Sequence, residues 1–309
     1  MLVNGVWTEA WQPVQAKDDK GEFVRQISSF RHRIGTADHP AEAGRYHLYV
    51  AYICPWASRV LMARQIKGLR DVISVSVVGP RLTPQGWAFG GFDGASEDHL
   101  FGARYLHELY TRADPTVNGR ATVPVLWDKV TGTLVNNESA DILRILNSDF
   151  GDLASGPDLY PADLAAQIDA LNDWMYPRLN NGVYRAGFAT TQIAYDEAVR
   201  DVFDALDQLE SRLSDGRDWL LGATFTESDI RAFVTLIRFD AAYHGLFKCN
   251  LRRLADYPFL SAYVRRGLDV PGVRDTVKID HIKAGYYSIA ALNPAGIVPT
   301  GPDLSALGL

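Results

Sequence analysis

The sequence predicts an α+β N-terminal domain followed by an all-helical one, and three observations carry that prediction. Strand-like and helix-like segments alternate between residues 45 and 150. A break rich in Gly, Pro and Asp, GPDLYPADL, occupies 156–164, and beyond it the pattern is helical almost throughout. A chain of 309 residues, 47% of them apolar, is long enough for two cores.

Residues 1–44 are mixed and polar, with no sustained period, and read as an extension lying on the folded body. HLYVAY (47–52) is rich in β-formers, and Pro55 follows where the first position of a helix would fall. Val60, Leu61, Arg64 and Ile66 continue that helix to Gly68, and VISVSVV (72–78) alternates as a strand does. A helical crossover between these strands implies a parallel pair. The stretch from Gly79 to Gly119 is an insertion carrying the loop PQGWAFGGFDG and a helical piece, FGARYLHELYTRAD. TVPVLWD (122–128) and TLVNN (133–137) form an antiparallel pair around Gly132, and ESADILRIL closes the unit as a helix. That order is thioredoxin-like, and Pro124 after Val123 stands where such domains carry a proline before the third strand. The expected boundaries are an extension over 1–44, the thioredoxin-like domain over 45–150, the helical domain over 160–285 and a tail over 286–309.

Within the helical part, Ile193, Val199, Val202, Phe203, Leu206, Leu209 and Leu213 mark a long amphipathic helix. Thr226 and Asp229 open another, as an N-cap with a carboxylate in its first turn, a structural feature. From Asn293 onward the chain is irregular and rich in Pro and Gly.

The net charge of −6 argues against nucleic-acid partners. Two distant cysteines, Cys54 and Cys249, make no disulfide framework and suit a reducing compartment. The opening MLVNGVWTEAW lacks a basic stretch followed by an apolar one, and no apolar run nears the ~20 residues of a membrane span. A cytoplasmic protein is expected. The seven histidines show no metal-ligand spacing, and no phosphate-binding glycine loop occurs, so neither metal nor nucleotide is expected.

Cys54 ends the apolar run YVAYICPWASRVL, at a strand end and at the start of a helix. Free amides and the dipole at a helix N-terminus favour a thiolate, and hence a nucleophile. Free cysteines are also among the most buried residues, so position alone leaves both readings open. CPWA lacks the resolving thiol of C-x-x-C, so an attacked Cys54 would need an external thiol to release it. Cys249, beside Lys248, carries no partner motif and reads as inert.

CPWA after a strand, GW in the inserted loop, GRATVPVLWD and NNESADI together resemble the glutathionyl-hydroquinone reductases, the Xi class of glutathione transferases. NNGVYRAGFA, DAAYHGLFKCN and NPAGIVPTGP extend the resemblance, in order, over most of the chain. Ser58 stands where many members carry His, and GYYSIAALNP lacks histidines common around that tyrosine pair.

The resemblance implies a glutathione transferase fold with glutathione, the co-substrate, bound between the two domains. It makes Cys54 the nucleophile and lays Trp87 along the tripeptide. Arg120 would pair with a glutathione carboxylate. Ala121, Thr122 and Val123 would run alongside, with Val123 offering main-chain groups as an edge strand does. Glu138 would take the γ-glutamyl ammonium, while Ser139 and the amides beside it would take the carboxylate. Tyr184 resembles the family's proton donor; Tyr243 and one of Tyr286 or Tyr287 resemble residues lining the acceptor site. The implied reaction is deglutathionylation of a glutathionyl-hydroquinone, by a homodimer. The rival readings are an omega-type thiol transferase or dehydroascorbate reductase, and a non-catalytic binding module for aromatic ligands.

Overall fold

The computed structural model describes residues 1–8, 20–21 and 28–309; the remainder of the expected N-terminal extension lies outside the described residues. The described residues divide into two compact units. One comprises 1–8, 28–157 and 275–288, and the other 20–21, 158–274 and 289–309. Residues 275–285, expected at the end of the helical domain, and 286–288, expected at the start of the tail, group with the first unit.

The first unit begins with a hairpin of β1 (Leu2–Val3) and β2 (Val6–Trp7). Its turn is Asn4-Gly5, both at positive φ (48° and 73°), the combination a two-residue hairpin of this twist demands. The VNGV stretch therefore carried a local hairpin signature inside an extension otherwise without period. The central sheet follows: β3 (Tyr46–Val50), α1 (Pro55–Ile66), β4 (Ser74–Thr83), β5 (Gly86–Phe89), α2 (Leu106–Ala113), β6 (Val125–Asp128), β7 (Thr133–Asn136) and α3 (Ser139–Ser148). Strand order is β5-β4-β3-β6-β7, with β3 and β4 parallel and the other pairs antiparallel. Every residue of β3 is buried, as a central strand covered on both faces requires.

Two differences from the sequence reading have simple causes. β6 starts at Val125 because Pro124, after a cis peptide bond, has no N–H for the ladder. The Trp87 segment is an edge strand, β5, because Gly86 at φ 75° lets the chain turn back antiparallel onto β4. α1 packs against α3, and α2 touches both edge strands, β5 and β7.

The second unit contains α4 (Ala165–Met175), α5 (Gly182–Gly187), α6 (Gln192–Leu213), α7 (Glu227–Leu236) and α8 (Pro258–Asp269), with π-helical turns at Tyr176–Asn180 and Phe239–Tyr243. α6 buries the expected stripe, but from Ala194 onward; Ile193 lies one residue off it and is 72% exposed. α7 opens as expected: Thr226 N–H donates to the Asp229 carboxylate at 2.9 Å, and the Thr226 side chain accepts in return. Among the described residues, no helix is long and apolar enough to cross a membrane. α9 (Ile279–Tyr286) completes the first unit, packed on β4.

Candidate active site

Cys54 is the N-cap of α1, with an extended backbone, and Pro55 takes the first helical position. Proline suits that position: its ring fixes a helical φ, and the N–H it lacks would have had no partner there. The remaining amides of the first turn are directed to the end of the helix where this side chain stands. Cys54 is partly exposed, whereas Cys249 is fully buried. Burial pushes the Cys249 thiol up to about 12, which leaves it protonated and unreactive at neutral pH.

The thiol of Cys54 donates to the carbonyl oxygen of Val123, with Sγ 3.7 Å away. Val123 belongs to the segment 120–124 that leads into β6, and a buried tyrosine anchors it. The Tyr110 hydroxyl, on α2, donates to the Thr122 carbonyl at 2.8 Å and accepts from the Asn137 amide at 3.1 Å. Arg120, Ala121 and Thr122 are half-buried.

Asn137 leads directly into the start of α3. Glu138 is the N-cap, its carboxylate accepting from Ala140 N–H at 3.2 Å and from the Ser139 hydroxyl at 3.4 Å. Ser28 donates to the other Glu138 oxygen at 3.0 Å. Each oxygen of a carboxylate has two lone pairs, so Glu138 holds its own helix and keeps capacity for an incoming ammonium. Asn136 in turn accepts from the Glu138 N–H at 2.8 Å. Cys54, Val123, Thr122, Glu138 and Ser139 are thus brought together through Tyr110 and Asn137. Tyr110 and Ser28 sit in no motif that marks them, and Asn137, though within NNESADI, is given no role by that motif; Tyr110 is one more apolar-face residue of α2 until its hydroxyl is placed.

Trp87 is on the edge strand β5 and half-buried. Tyr286 and Tyr287, at the end of α9, are both buried, at 3% and 9% exposure. Tyr184, on α5, and Tyr243 belong to the second unit. Their rings lie 6.0 Å apart in a cluster with Phe247, on which Tyr243 stacks at 5.2 Å. Tyr243 is wholly buried, while Tyr184 is partly exposed. Among the described residues no three His, Cys, Asp or Glu side chains are gathered as a metal ion needs.

The model of the glutathione S-transferase N-terminal domain matches residues 53–149, and that of the C-terminal domain matches 192–266. Over its full length the chain is 51% identical to glutathionyl-hydroquinone reductase PcpF of Sphingobium chlorophenolicum, covering 98% of that protein. The glutathione-bound structure of YqjG from Escherichia coli is 44% identical, with a TM-score of 0.89 over 98% of this chain and 95% of that one. The Xi glutathione transferase structure from Phanerochaete chrysosporium is 48% identical, with a TM-score of 0.90 over 93% and 95%. The fold, a thioredoxin-like unit with a cysteine at its first helix and an all-helical unit after it, is that of a glutathione transferase. The chain belongs to the glutathionyl-hydroquinone reductases, the Xi class of that family.

Proposed function

We propose that the chain catalyses the glutathione-dependent reduction of glutathionyl-hydroquinones to hydroquinones through a mixed disulfide at Cys54. The observation that supports it most is the placing of Cys54: N-cap of α1, partly exposed, beside the carbonyl of Val123 in the segment that leads into β6. Such a segment offers main-chain groups to the cysteinyl part of glutathione, which would set the glutathione sulfur near Sγ.

The chemistry runs in two steps. The Cys54 thiolate attacks the thioether sulfur of the substrate, and an S–S bond forms as the ring C–S bond breaks. The bonding pair goes to the ring carbon, which takes a proton, and the hydroquinone leaves. We assign that proton to Tyr184, since a phenol is protonated at neutral pH and a partly exposed one is accessible. A second glutathione thiolate then attacks the mixed disulfide, releasing oxidised glutathione and the Cys54 thiolate. The external thiol is needed because position 57 holds Ala, with no second cysteine to resolve the disulfide.

Glutathione itself is assigned to Trp87, Arg120, Ala121, Thr122, Val123, Glu138 and Ser139, and the aromatic part to Tyr243 and Tyr286. The reading extends to a homodimer acting in the cytoplasm, which light scattering on the purified protein and localisation of a tagged chain test. The activity is tested by incubating the protein with glutathionyl-menadiol and glutathione and following both products by chromatography. Stoichiometric menadiol and oxidised glutathione are expected. Reduction of small glutathione disulfides without release of menadiol would favour the omega-type thiol transferase instead.

A further inference from the structure

The N-terminal hairpin touches two places in the first unit, and both directly precede residues assigned to glutathione. On β1, Leu2 and Gly119 exchange main-chain hydrogen bonds, N–H to O at 2.8 Å and 3.0 Å, and Arg120 is the next residue. The Asn4-Gly5 turn is tied at three further points. Gly5 N–H donates to the Val117 carbonyl at 2.9 Å, Thr111 Oγ1 donates to the Gly5 carbonyl at 2.8 Å, and Asn4 N–H donates to the Asn118 side chain at 2.9 Å. Gly5 lies so close to the Pro115 carbonyl that no side chain could stand there. Leu2 is fully buried.

On the partner strand, β2, Trp7 pairs with Leu2 and lies against the turn that precedes Trp87. Its indole Nε1–H donates to the Pro84 carbonyl at 3.1 Å. A Cβ on Gly86 would meet the edge of the indole at 3.0 Å, so glycine is what lets the ring settle there. The other face of contact is His107, whose ring stacks on Trp7 at 4.5 Å and 16° and reaches Gln85 Oε1 at 3.1 Å.

A two-stranded hairpin is marginal by itself, so this one is ordered by what it docks on, and it orders those segments in return. Resting on the assignment of Trp87 and Arg120 to glutathione, we infer that the hairpin is a clamp presetting both residues, with Leu2 and Trp7 as positioning residues that never touch the tripeptide. A segment fixed in advance spares the ligand the entropic cost of ordering it. Loosening the clamp therefore weakens glutathione binding and leaves the sulfur chemistry at Cys54 alone.

The test compares Trp7→Ala, Trp7→Phe, Trp87→Ala and the double variant Trp7→Ala/Trp87→Ala in full-length protein, by glutathione KM and kcat and by calorimetric glutathione binding. Trp7→Ala should raise KM and Kd about five- to tenfold, with kcat at saturating glutathione within about twofold of wild type. Trp7→Phe, which keeps the stack on His107, should recover most of the loss. The double variant should bind no more weakly than Trp87→Ala, because Trp7 holds the turn before Trp87 while Leu2 holds Gly119 before Arg120. If Trp7→Ala proves unstable, Trp7→Leu keeps apolar bulk on Gly86 and carries the same expectation. Unchanged glutathione binding in Trp7→Ala while Trp87→Ala weakens it, or additive losses in the double variant, would overturn the clamp. Unchanged binding in Trp87→Ala would instead overturn the assignment of Trp87 on which the clamp rests.

Discussion

The Cys54 sulfur stands 3.7 Å from the Val123 carbonyl oxygen, so residues 69 positions apart meet where α1 begins and β6 is about to. The pairing places the cysteine against the main-chain segment 120–124 that leads into β6.

The two thiols should differ sharply in reactivity. Cys54 is partly exposed at a helix N-terminus, while burial pushes Cys249 up to about 12. Iodoacetamide on the native protein should therefore label one residue, which peptide mass mapping should place at Cys54. Equal labelling of Cys249 without denaturant would contradict its burial.

Glu138 serves both its own helix and, as proposed, the ligand, and two substitutions separate these duties. Glu138→Gln keeps an oxygen for the Ala140 amide but loses the charge, so the glutathione KM should rise with stability nearly unchanged. Glu138→Ala should also lose the cap, about 1 kcal/mol, read as a lower urea midpoint. Arg120→Ala should resemble Glu138→Gln, raising KM more than it lowers kcat.

Tyr184→Phe removes one hydroxyl from a ring packed 5.4 Å from Phe247, so the fold should persist. Deglutathionylation should fall by about 10²–10⁴, as for loss of a positioned general acid. Reduction of a small glutathione disulfide needs no ring proton and should be nearly unchanged. Parallel loss of both activities would make Tyr184 a packing residue.

Acid should weaken the first unit through His47. Its ring lies on β3, held by Ser74 and Ser76 hydroxyls at 2.7 Å and 3.0 Å, and burial pushes it down to about 4. The folded state thus prefers neutral His47; that stability is complete above the ordinary value of 6.5 and is lost as pH falls toward 4. The loss is about 3 kcal/mol over that window. Urea midpoints at pH 7 and 4.5 should differ less in His47→Gln, and an unchanged difference would remove His47 as the cause.

Much of this was legible in sequence, because strands, helices and Pro55 announce themselves through local period and backbone chemistry. Pro55 and the Thr226–Asp229 box each correspond to an element that formed, and the strand read at 72–78 formed as β4 over Ser74–Thr83, buried continuously from Ser76 to Pro80 rather than alternately. What was not legible depends on contacts distant in the chain. Tyr110 reads as one more apolar-face residue until its hydroxyl meets Thr122 and Asn137. The segment 275–288 follows a helical domain but packs on β4, which no local pattern encodes. The Asn4-Gly5 turn was local and readable, yet its importance lies in Gly119 and Pro84, more than 70 residues away.

The central claim is a covalent intermediate at Cys54, and a single-turnover measurement without added glutathione tests it most directly. Wild-type protein mixed with one equivalent of glutathionyl-menadiol should release close to one equivalent of menadiol. Intact-mass and peptide analysis should then show one glutathione attached at Cys54, removable by added glutathione with formation of oxidised glutathione. Cys54→Ser should give neither product. Menadiol release by the Ser variant, or release by wild type with no adduct at Cys54, would contradict the mechanism.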